Sequence, residues 1–325
     1  MRHTNKPTGK QWMELYKIMK EVKTPMIPIT KGKVETAKKV VIYGPEGIGK
    51  STLAAQFPDP IFIDTEGSTK QLDVKRYPTP DSWKTIIDYI EDTASEVPCK
   101  TIVIDTADWA EHYCSQAVCQ RLKVKGIEDI GYGKGYVYVA ESFQELLEAC
   151  DKLIAKNINV VFTAHAQMRK FEQPDEIGAY DRWEMKLSKK VAPLLKEWAD
   201  MVLFCNYKTS VVVDSNTKSK KATGGSRVMY TTHHPCWDAK NRYDLPESID
   251  MSYDGISHIF DGIKTAPSFK EVIEAEGLTM DNIKTFSEAK GNFPGMDPND
   301  YPSEYKEALM RAESISKIKK FLGGI

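Results

Sequence analysis

Short apolar runs alternate with longer amphipathic stretches from about residue 39 onward. Five runs have the length and composition of buried β-strands, namely KVVIYG, IFIDT, TIVIDT, NVVFTA and DMVLFC. The stretches between them are typical of helices, as in DSWKTIIDYIEDTA and YVYVAESFQELLEACDKLIAK. Strands that alternate with helices predict an α/β fold, in which a mostly parallel sheet carries helices on both faces.

The pattern changes on either side of this alternation. Residues 1–38 hold one amphipathic helix candidate, KQWMELYKIMKEV, and a proline-interrupted connector, which predict an N-terminal helical extension. Residues 39–263 form the predicted core, in which SVVVD and RVMYTT flank the polar loop SNTKSKKATGGS as an antiparallel hairpin at the sheet edge. Residues 264–325 are polar and helical, and they predict a C-terminal helical appendage.

The charge and the cysteines narrow the function classes. The net charge is −1, so any contact with nucleic acid has to come from local basic patches. No run of 18 apolar residues occurs and the N-terminus lacks the apolar core of a signal peptide, so we expect no membrane partner. The six cysteines are scattered without a CxxC pair, which predicts reduced thiols and a cytoplasmic location.

One motif, GPEGIGKST, follows the apolar run KVVIY and opens a helix candidate. It fits GxxxxGK[ST] in the strand–loop–helix context that a phosphate-binding loop requires. The backbone N–H groups of such a loop bind phosphates, Lys50 reaches the β- and γ-phosphates, and the Ser51 hydroxyl ligates Mg²⁺. The motif therefore predicts ATP and Mg²⁺ as cofactors, held by Gly44, Pro45, Glu46, Gly47, Ile48, Gly49, Lys50, Ser51 and Thr52. A chance match in an ordinary loop is the alternative.

Two other predicted strands end in carboxylates. TIVIDT ends at Asp105, which suits a residue that holds the water shell of Mg²⁺, although a simple polar strand end is common. IFIDTEG carries Asp64 and Glu66 two positions apart, and alternation along a strand points them the same way. Glu66 is then placed to activate a water near the γ-phosphate, and Asp64 to orient a backbone group or a metal-bound water. DTEGST is also rich in turn formers, and spacing alone leaves both interpretations open.

These motifs, in this order, resemble the RecA family over roughly residues 38–245. The resemblance implies a RecA-like P-loop core with Glu66 as catalytic base. VVFTAHAQMRK resembles the strand that senses the γ-phosphate and couples to DNA, with His165 or Gln167 as the sensing residue. AKNRYDLP resembles the basic pair that such proteins insert into a neighbour's ATP site, here Lys240 and Arg242, which implies a homo-oligomer. The nearest resemblance is to phage-encoded nucleotide-binding proteins of the single-strand annealing or recombination type.

Two segments lie where the resemblance implies DNA-contacting loops. One is rich in glycine, which gives mobility, and in tyrosine, which can stack on bases, and the other interleaves basic and aromatic residues, which suits single-stranded DNA because bases stack on aromatic rings while cations track the backbone. The first is KGIEDIGYGKGYVY and the second is AQMRKFEQPDEIGAYDRWEMK. The predicted contacts are Tyr132, Lys134, Tyr136, Arg169, Lys170, Phe171, Arg182 and Trp183. The alternative is two ordinary loops at the edge of an active site, one of them a lid.

Two functional hypotheses follow. The first is a DNA-stimulated, Mg²⁺-dependent ATPase that binds single-stranded DNA in phage recombination or single-strand annealing, in a bacterial host cytoplasm if the protein is phage-encoded. Its candidate partners include single-strand-binding and replication proteins. The second is an ATP-switched assembly or helicase-loader protein that acts through protein partners. The near-neutral charge favours the second, while the basic-aromatic segments and the RecA-like order of motifs favour the first.

Overall fold

The computed structural model describes residues 31–32, 34–95, 98–172, 178–213, 220–261 and 269–323. It separates into two compact units, Met1–Glu35 and Thr36–Ile325, and the elements below all belong to the second. The helix predicted from KQWMELYKIMKEV lies outside the described residues. The domain boundaries predicted at residues 38 and 263 stay predictions.

The described strands join into one nine-stranded sheet. In chain order they are β1 Lys39–Gly44, β2 Pro60–Asp64, β3 Lys75–Arg76, β4 Thr101–Asp105, β5 Asn159–Glu172, β6 Ala179–Met185, β7 Met201–Val213, β8 Lys220–Tyr230 and β9 Ser248–Asp250. Their spatial order is β3-β2-β4-β5-β1-β7-β8-β9, and β6 pairs with β5 off this path. The pairs from β3 through to β7 are parallel. The predicted α/β fold with a mostly parallel sheet is therefore confirmed.

Helices pack on both faces of this sheet. They are α1 Lys50–Ala54, α2 Trp83–Ser95, α3 Ala107–Leu122, α4 Lys134–Ala155 and α5 Val191–Trp198. Alternate residues of β1 enter opposite layers, because side chains of a strand alternate between its faces. Val41 and Tyr43 join the core formed with α2 to α5, while Val40 and Ile42 join the core formed with α1.

Past the sheet, residues 269–323 fold into further helices with a small core of their own. These are α6 Phe269–Ala275, α7 Met280–Ala289, α8 Ser303–Leu309 and α9 Ala312–Leu322. Ile273, Ile283 and Ile318 are fully buried in that core. An ion pair of 3.5 Å joins Glu307 to Lys156 at the end of α4.

The hairpin predicted from SVVVD and RVMYTT is present as β7 and β8, which pair antiparallel. At its base the hairpin is not outermost, because β9 pairs antiparallel with Val228–Tyr230 of β8, but along the rest of β8 the described residues provide no further paired strand, as predicted for an edge hairpin. The short run SID that forms β9 is too brief to stand out as a strand in the sequence.

A second hairpin replaces one of the predicted loops. β5 continues past the sheet to Glu172 and pairs antiparallel with β6, from Ala166 opposite Met185 to Glu172 opposite Ala179. Beyond its buried first half, the residues of β5 alternate between half-buried and exposed positions. That period of two is the signature of a strand. AQMRKFEQPDEIGAYDRWEMK therefore includes most of a projecting β-hairpin.

Candidate active site

The glycine loop between β1 and α1 lies where several parallel strands end. Steric contacts and backbone angles explain why glycine is found at two of its positions. A Cβ on Gly44 would come within 2.3 Å of the Cys205 carbonyl oxygen on β7. Gly49 has φ of 106°, and a Cβ there would meet Arg227 Nη1 at 2.7 Å. The backbone at Gly44 therefore lies too close to β7 for any side chain, while at Gly49 the positive φ itself favours glycine.

Lys50, the first residue of α1, is buried with its ammonium group over the loop. Its Nζ donates to the carbonyl oxygens of Gly44 at 3.2 Å and Pro45 at 3.0 Å. Burial lowers the pKa of Lys50, and the nearby carboxylates of Asp105 and Asp108 oppose that shift. The cation is thus held at the loop by groups that an incoming phosphate can replace.

Asp105 is fully buried at the end of β4, and only one of its carboxylate oxygens accepts a hydrogen bond among the described residues. The Thr163 hydroxyl on β5 donates to its Oδ1. Its Oδ2 has no hydrogen-bond partner within the part of the chain that the structure describes. Burial raises the pKa of Asp105, while the hydroxyls of Thr163 and Ser51 lower it. An orphaned carboxylate oxygen close to a serine hydroxyl is an oxygen donor set that fits Mg²⁺.

Asp64 serves the turn that follows β2. Its Oδ1 accepts from the backbone N–H of Gly67 at 2.7 Å, with Glu66 and Ser68 at 3.3 and 3.2 Å. Its Oδ2 accepts from Thr69, from the backbone N–H at 2.9 Å and from the hydroxyl at 2.6 Å. Burial acts to raise the pKa of Asp64, but these hydrogen bonds outweigh it and the pKa is lowered. Asp64 therefore orients the backbone that carries Glu66.

We expect Asp64→Asn to lower the free energy of unfolding by about 1.5–3 kcal/mol near pH 7, because it weakens hydrogen bonds to a charged group. The lowered pKa means that this stabilisation is present above the unfolded-state pKa near 4 and is lost as the pH falls through the folded-state value. Urea unfolding of both proteins at pH 7 and at pH 3 measures it. Equal losses of stability for the two proteins on acidification would contradict this role.

Glu66 lies beyond the end of β2, so strand alternation does not pair it with Asp64. Its side chain is 28 % exposed, and its Oε2 lies 3.9 Å from His165 Nε2. Burial raises the pKa of Glu66; His165 and Lys50 lower it, and Asp108 and Asp105 raise it further. The carboxylate therefore faces the crevice between the phosphate loop and β5.

His165 sits opposite Gly44 in the register of β5 and β1. Its ring Nδ1 lies 2.8 Å from Asp108 Oδ2, and its backbone N–H donates to Asp108 Oδ1 at 3.0 Å. Burial acts to raise the pKa of Asp108, but the hydrogen bonds to His165 outweigh it and the pKa is lowered. Lys50, Glu66, Asp105 and His165 are thus brought together by the ends of β1, β2, β4 and β5.

Two residues of this crevice were not predicted from the sequence. Asp108 lies in the first turn of α3, where an acidic residue is common at any helix because of the helix dipole. Arg227 comes from β8, and its Nη1 donates to the carbonyl oxygen of Ile48 in the phosphate loop at 3.2 Å. The sequence holds no local signal that a strand 179 residues further along reaches this loop.

Lys240 and Arg242 lie near the amino-terminal ends of the parallel strands, away from the phosphate loop at their carboxyl ends. Lys240 bridges to Val202 near the start of β7, opposite Val41 of β1, and β1 runs about 10 Å from Val41 to Gly44 at the phosphate loop. Lys240 Nζ donates to three carbonyl oxygens at the end of α5, those of Lys196, Glu197 and Ala199. Arg242 pairs with Asp200 at 3.0 Å and stays 60 % exposed. Neither residue reaches the nucleotide loop of its own chain, and their use by a neighbouring copy stays a prediction.

The first predicted DNA segment forms two 3₁₀ turns and the start of α4. Tyr132 is fully exposed, Lys134 is exposed at the first position of α4, and the Tyr136 hydroxyl donates to Glu128. The exposed ring and ammonium are free to contact a ligand, and DNA contact at this segment stays a prediction.

The second predicted DNA segment divides along the β5–β6 hairpin. Arg169, Lys170 and Phe171 border a cavity of about 320 Å³, whose other charged lining residues are Glu184, Lys189, Lys196 and Asp238. Two predicted contacts are turned inward instead, which corrects the expectation that all of them are accessible. Arg182 is buried, pairs with Asp238 and lies over the Phe171 ring. Trp183 is half-buried against Phe204 of the core.

Gln167, the alternative sensing residue, donates from Nε2 to the carbonyl oxygen of Met185 at 3.2 Å and so binds the hairpin rather than the crevice. His165 is therefore the better-placed of the two candidates.

Among the described residues, no helix is long and apolar enough to cross a membrane.

The comparisons with known proteins agree with this geometry. A family model described as AAA domain (AAA_24) matches residues 36–243, which is more than half of the chain and spans the strands β1 to β8. No curated protein matches the chain. The chain belongs to the AAA domain family, and it is a P-loop, nucleotide-binding ATPase of the AAA type.

Proposed function

We propose that this ATPase hydrolyses ATP with Mg²⁺ and uses the cycle to control its hold on single-stranded DNA in phage-type recombination or annealing. One observation carries the proposal: His165 faces the hydrolysis crevice, and the strand that bears it continues into the β5–β6 hairpin. Since the hairpin presents Arg169, Lys170 and Phe171, a change beside the γ-phosphate has a direct covalent path to basic and aromatic side chains.

In this proposal the residues around the loop hold the triphosphate. The loop N–H groups contact the phosphates, and Lys50 moves from the carbonyls of Gly44 and Pro45 to the β- and γ-phosphates. Ser51 and Asp105 would hold Mg²⁺, and the bound ion would neutralise charge on the phosphate oxygens. Arg227 adds a fixed positive charge on the β8 side of the loop.

Glu66 then acts on the attacking water. Its raised pKa makes the carboxylate a stronger base than a free glutamate, and its place beside His165 keeps it at the crevice. The water oxygen bonds to the γ-phosphorus as the bond to the bridging oxygen breaks. One water proton passes to Glu66, and ADP and phosphate are released.

The cavity beside the hairpin supports the DNA part of the proposal. Among the described residues, neither Lys170 nor Lys189 has an ion pair, so their charges are available to a phosphate backbone. Phe171 lies in the same lining with Arg182 over one face of its ring, so only the opposite face can stack on a base. The fully exposed Tyr132 on the other segment offers a second ring.

The test is a salt titration of single-stranded DNA binding, together with ATP hydrolysis measured with and without that DNA. We expect DNA to raise the hydrolysis rate. We also expect the double variant Arg169→Ala/Lys170→Ala to bind more weakly with all sequences and to lose about 1.4 from the salt slope, since each single-strand phosphate contact contributes about 0.7.

The double variant Lys84→Ala/Lys152→Ala is the matched control, because it removes two exposed lysines that pair with Asp88 and Glu91 on helical surfaces. It should retain the parent affinity and salt slope. An unchanged slope in the hairpin variant, or no measurable DNA binding at low salt, would contradict the DNA assignment.

A second function has its own support. The inward-facing Arg182 and Trp183 reduce the surface that DNA can use, and the helices α6 to α9 form an additional small core beside the ATPase sheet. We propose an ATP-switched assembly or helicase-loader protein as the alternative, with these helices as the docking surface. Hydrolysis that is indifferent to DNA, with ATP-dependent capture of a replication protein, would favour it.

We extend the proposal to a cytoplasmic homo-oligomer in which a neighbouring copy supplies a cation to the nucleotide. Arg242 suits that role better than Lys240, because its side chain is 60 % exposed while Lys240 is engaged by three backbone carbonyls. Loss of hydrolysis in Arg242→Ala that is restored by mixing with a Lys50 variant would support the shared site.

A further inference from the structure

One carboxylate holds His165 in two places. Asp108 Oδ1 accepts the backbone N–H of His165, and Asp108 Oδ2 lies 2.8 Å from the ring Nδ1. The two side chains are only 9 % and 10 % exposed, respectively. The imidazole therefore cannot turn without breaking a buried, charge-assisted hydrogen bond.

This contact fixes where the ring carries its proton. An ionised carboxylate only accepts hydrogen bonds, so Nδ1 must be the donor. The hydrogen bonds to His165 also hold the pKa of Asp108 low, which keeps it ionised. In a neutral ring with its proton on Nδ1, Nε2 is left with a lone pair and becomes an acceptor.

That lone pair faces another acceptor. Nε2 and Glu66 Oε2 are 3.9 Å apart, which is too long for a direct hydrogen bond. A single water that donates both of its protons at ordinary lengths spans two acceptors about 4.4 Å apart. The gap between His165 and Glu66 is therefore close to the size that suits one doubly donating water.

We propose that Asp108 is a positioning residue for hydrolysis, which keeps Nε2 of His165 as an acceptor so that His165 and Glu66 together hold the attacking water. Both protons of that water are then engaged, and its oxygen presents a lone pair to the γ-phosphorus. During attack, one proton passes to Glu66 and the other stays on the new phosphate. This inference rests on the proposed function, in which Glu66 is the base.

The test reads the ring proton directly. The full chain is labelled with ¹⁵N-histidine and measured without nucleotide. A long-range ¹H–¹⁵N correlation spectrum then distinguishes the Nδ1–H form, the Nε2–H form and the imidazolium. The His165 signal is assigned among the six histidines as the one that is lost in His165→Asn. We expect Nδ1–H in the parent protein. In Asp108→Asn the amide NH₂ can donate to Nδ1, and we expect the proton to move to Nε2.

Glu111→Gln is the matched control, since it makes the same change one turn further along α3, at a buried carboxylate that accepts from the Ser188 N–H instead. It should leave the His165 signal unchanged. We expect Asp108→Asn to lower kcat by about 10²-fold with little change in KM, since misorientation of an attacking group costs about that much.

The outcomes separate the inference from the function beneath it. An imidazolium or Nε2–H form in the parent protein would overturn the inference even if Asp108→Asn failed to fold. So would a moved proton with undiminished hydrolysis, and in both cases the ATPase proposal would stand. A parent protein that binds ATP without hydrolysing it would instead remove the proposed function, and the inference with it.

Discussion

We expect the replacement of Glu66 by glutamine to lower kcat for ATP hydrolysis by about 10²–10⁴-fold, which is the usual contribution of a general base, the role that we propose for Glu66. Glutamine keeps the shape of the side chain and can still touch a water, but it cannot take a proton at neutral pH. The turn that carries position 66 is fixed by Asp64 through the backbone N–H groups of Glu66, Gly67, Ser68 and Thr69, so the substitution leaves that geometry in place. ATP affinity should stay within a few-fold of the parent value.

Steady-state phosphate release and calorimetric ATP binding check this prediction together. Glu141→Gln, at an exposed glutamate on α4, is the control for the chemical change and should hydrolyse ATP at the parent rate. Undiminished turnover in Glu66→Gln would mean that the base lies elsewhere in the crevice. Lost ATP binding would mean that Glu66 holds the nucleotide rather than the water.

Lys50→Met should lower hydrolysis by about 10²–10³-fold and weaken ATP binding, because it removes a preorganised cation from the triphosphate. The fold should tolerate the change. The ammonium is buried, burial lowers its pKa, and a methionine of similar length carries no charge that has to be desolvated. We expect the free energy of unfolding to stay within about 1 kcal/mol of the parent value.

Steady-state phosphate release, binding of a fluorescent ATP analogue and urea unfolding measure the three parts of that prediction. Lys152→Met, which removes an exposed lysine paired with Glu91, should change none of them. A Lys50→Met protein that unfolds at much lower urea concentration would show that Lys50 stabilises the loop through Gly44 and Pro45 in the absence of nucleotide.

Local patterns in the sequence were enough to predict five of the parallel strands and the phosphate loop, but not the short parallel strand β3, Lys75–Arg76. Five strands could be recognised as buried from their own apolar residues, without knowledge of their partners, namely KVVIYG, IFIDT, TIVIDT, NVVFTA and DMVLFC. GPEGIGKST could be recognised from its own residues and from the strand and helix on either side, although the atoms that a Cβ would meet at Gly44 and Gly49 belong to the distant residues Cys205 and Arg227. Glu66 and His165 could be nominated because the carboxyl ends of parallel strands meet at one edge.

Residues paired over long distances could not be predicted in this way. Asp108 and His165 are 57 positions apart, and only the placement of α3 against β5 joins them. Arg182 and Asp238 are 56 positions apart, so the same basic residue that suggested a DNA contact turned out to be the buried half of an ion pair. A side chain's charge is written in the sequence, but its partner is set by the fold.

The strand β5 extends far beyond the hydrolysis site. Seven residues of this strand, 166–172, run past the crevice, and an extended strand of that size is about 24 Å long. Since β6 pairs with β5 along all seven of these residues, the two strands would move together if β5 tilted near His165. A tilt of about 5° at that point would carry Glu172 and Ala179 through about 2 Å, which is enough to make or break a hydrogen bond far from the phosphate.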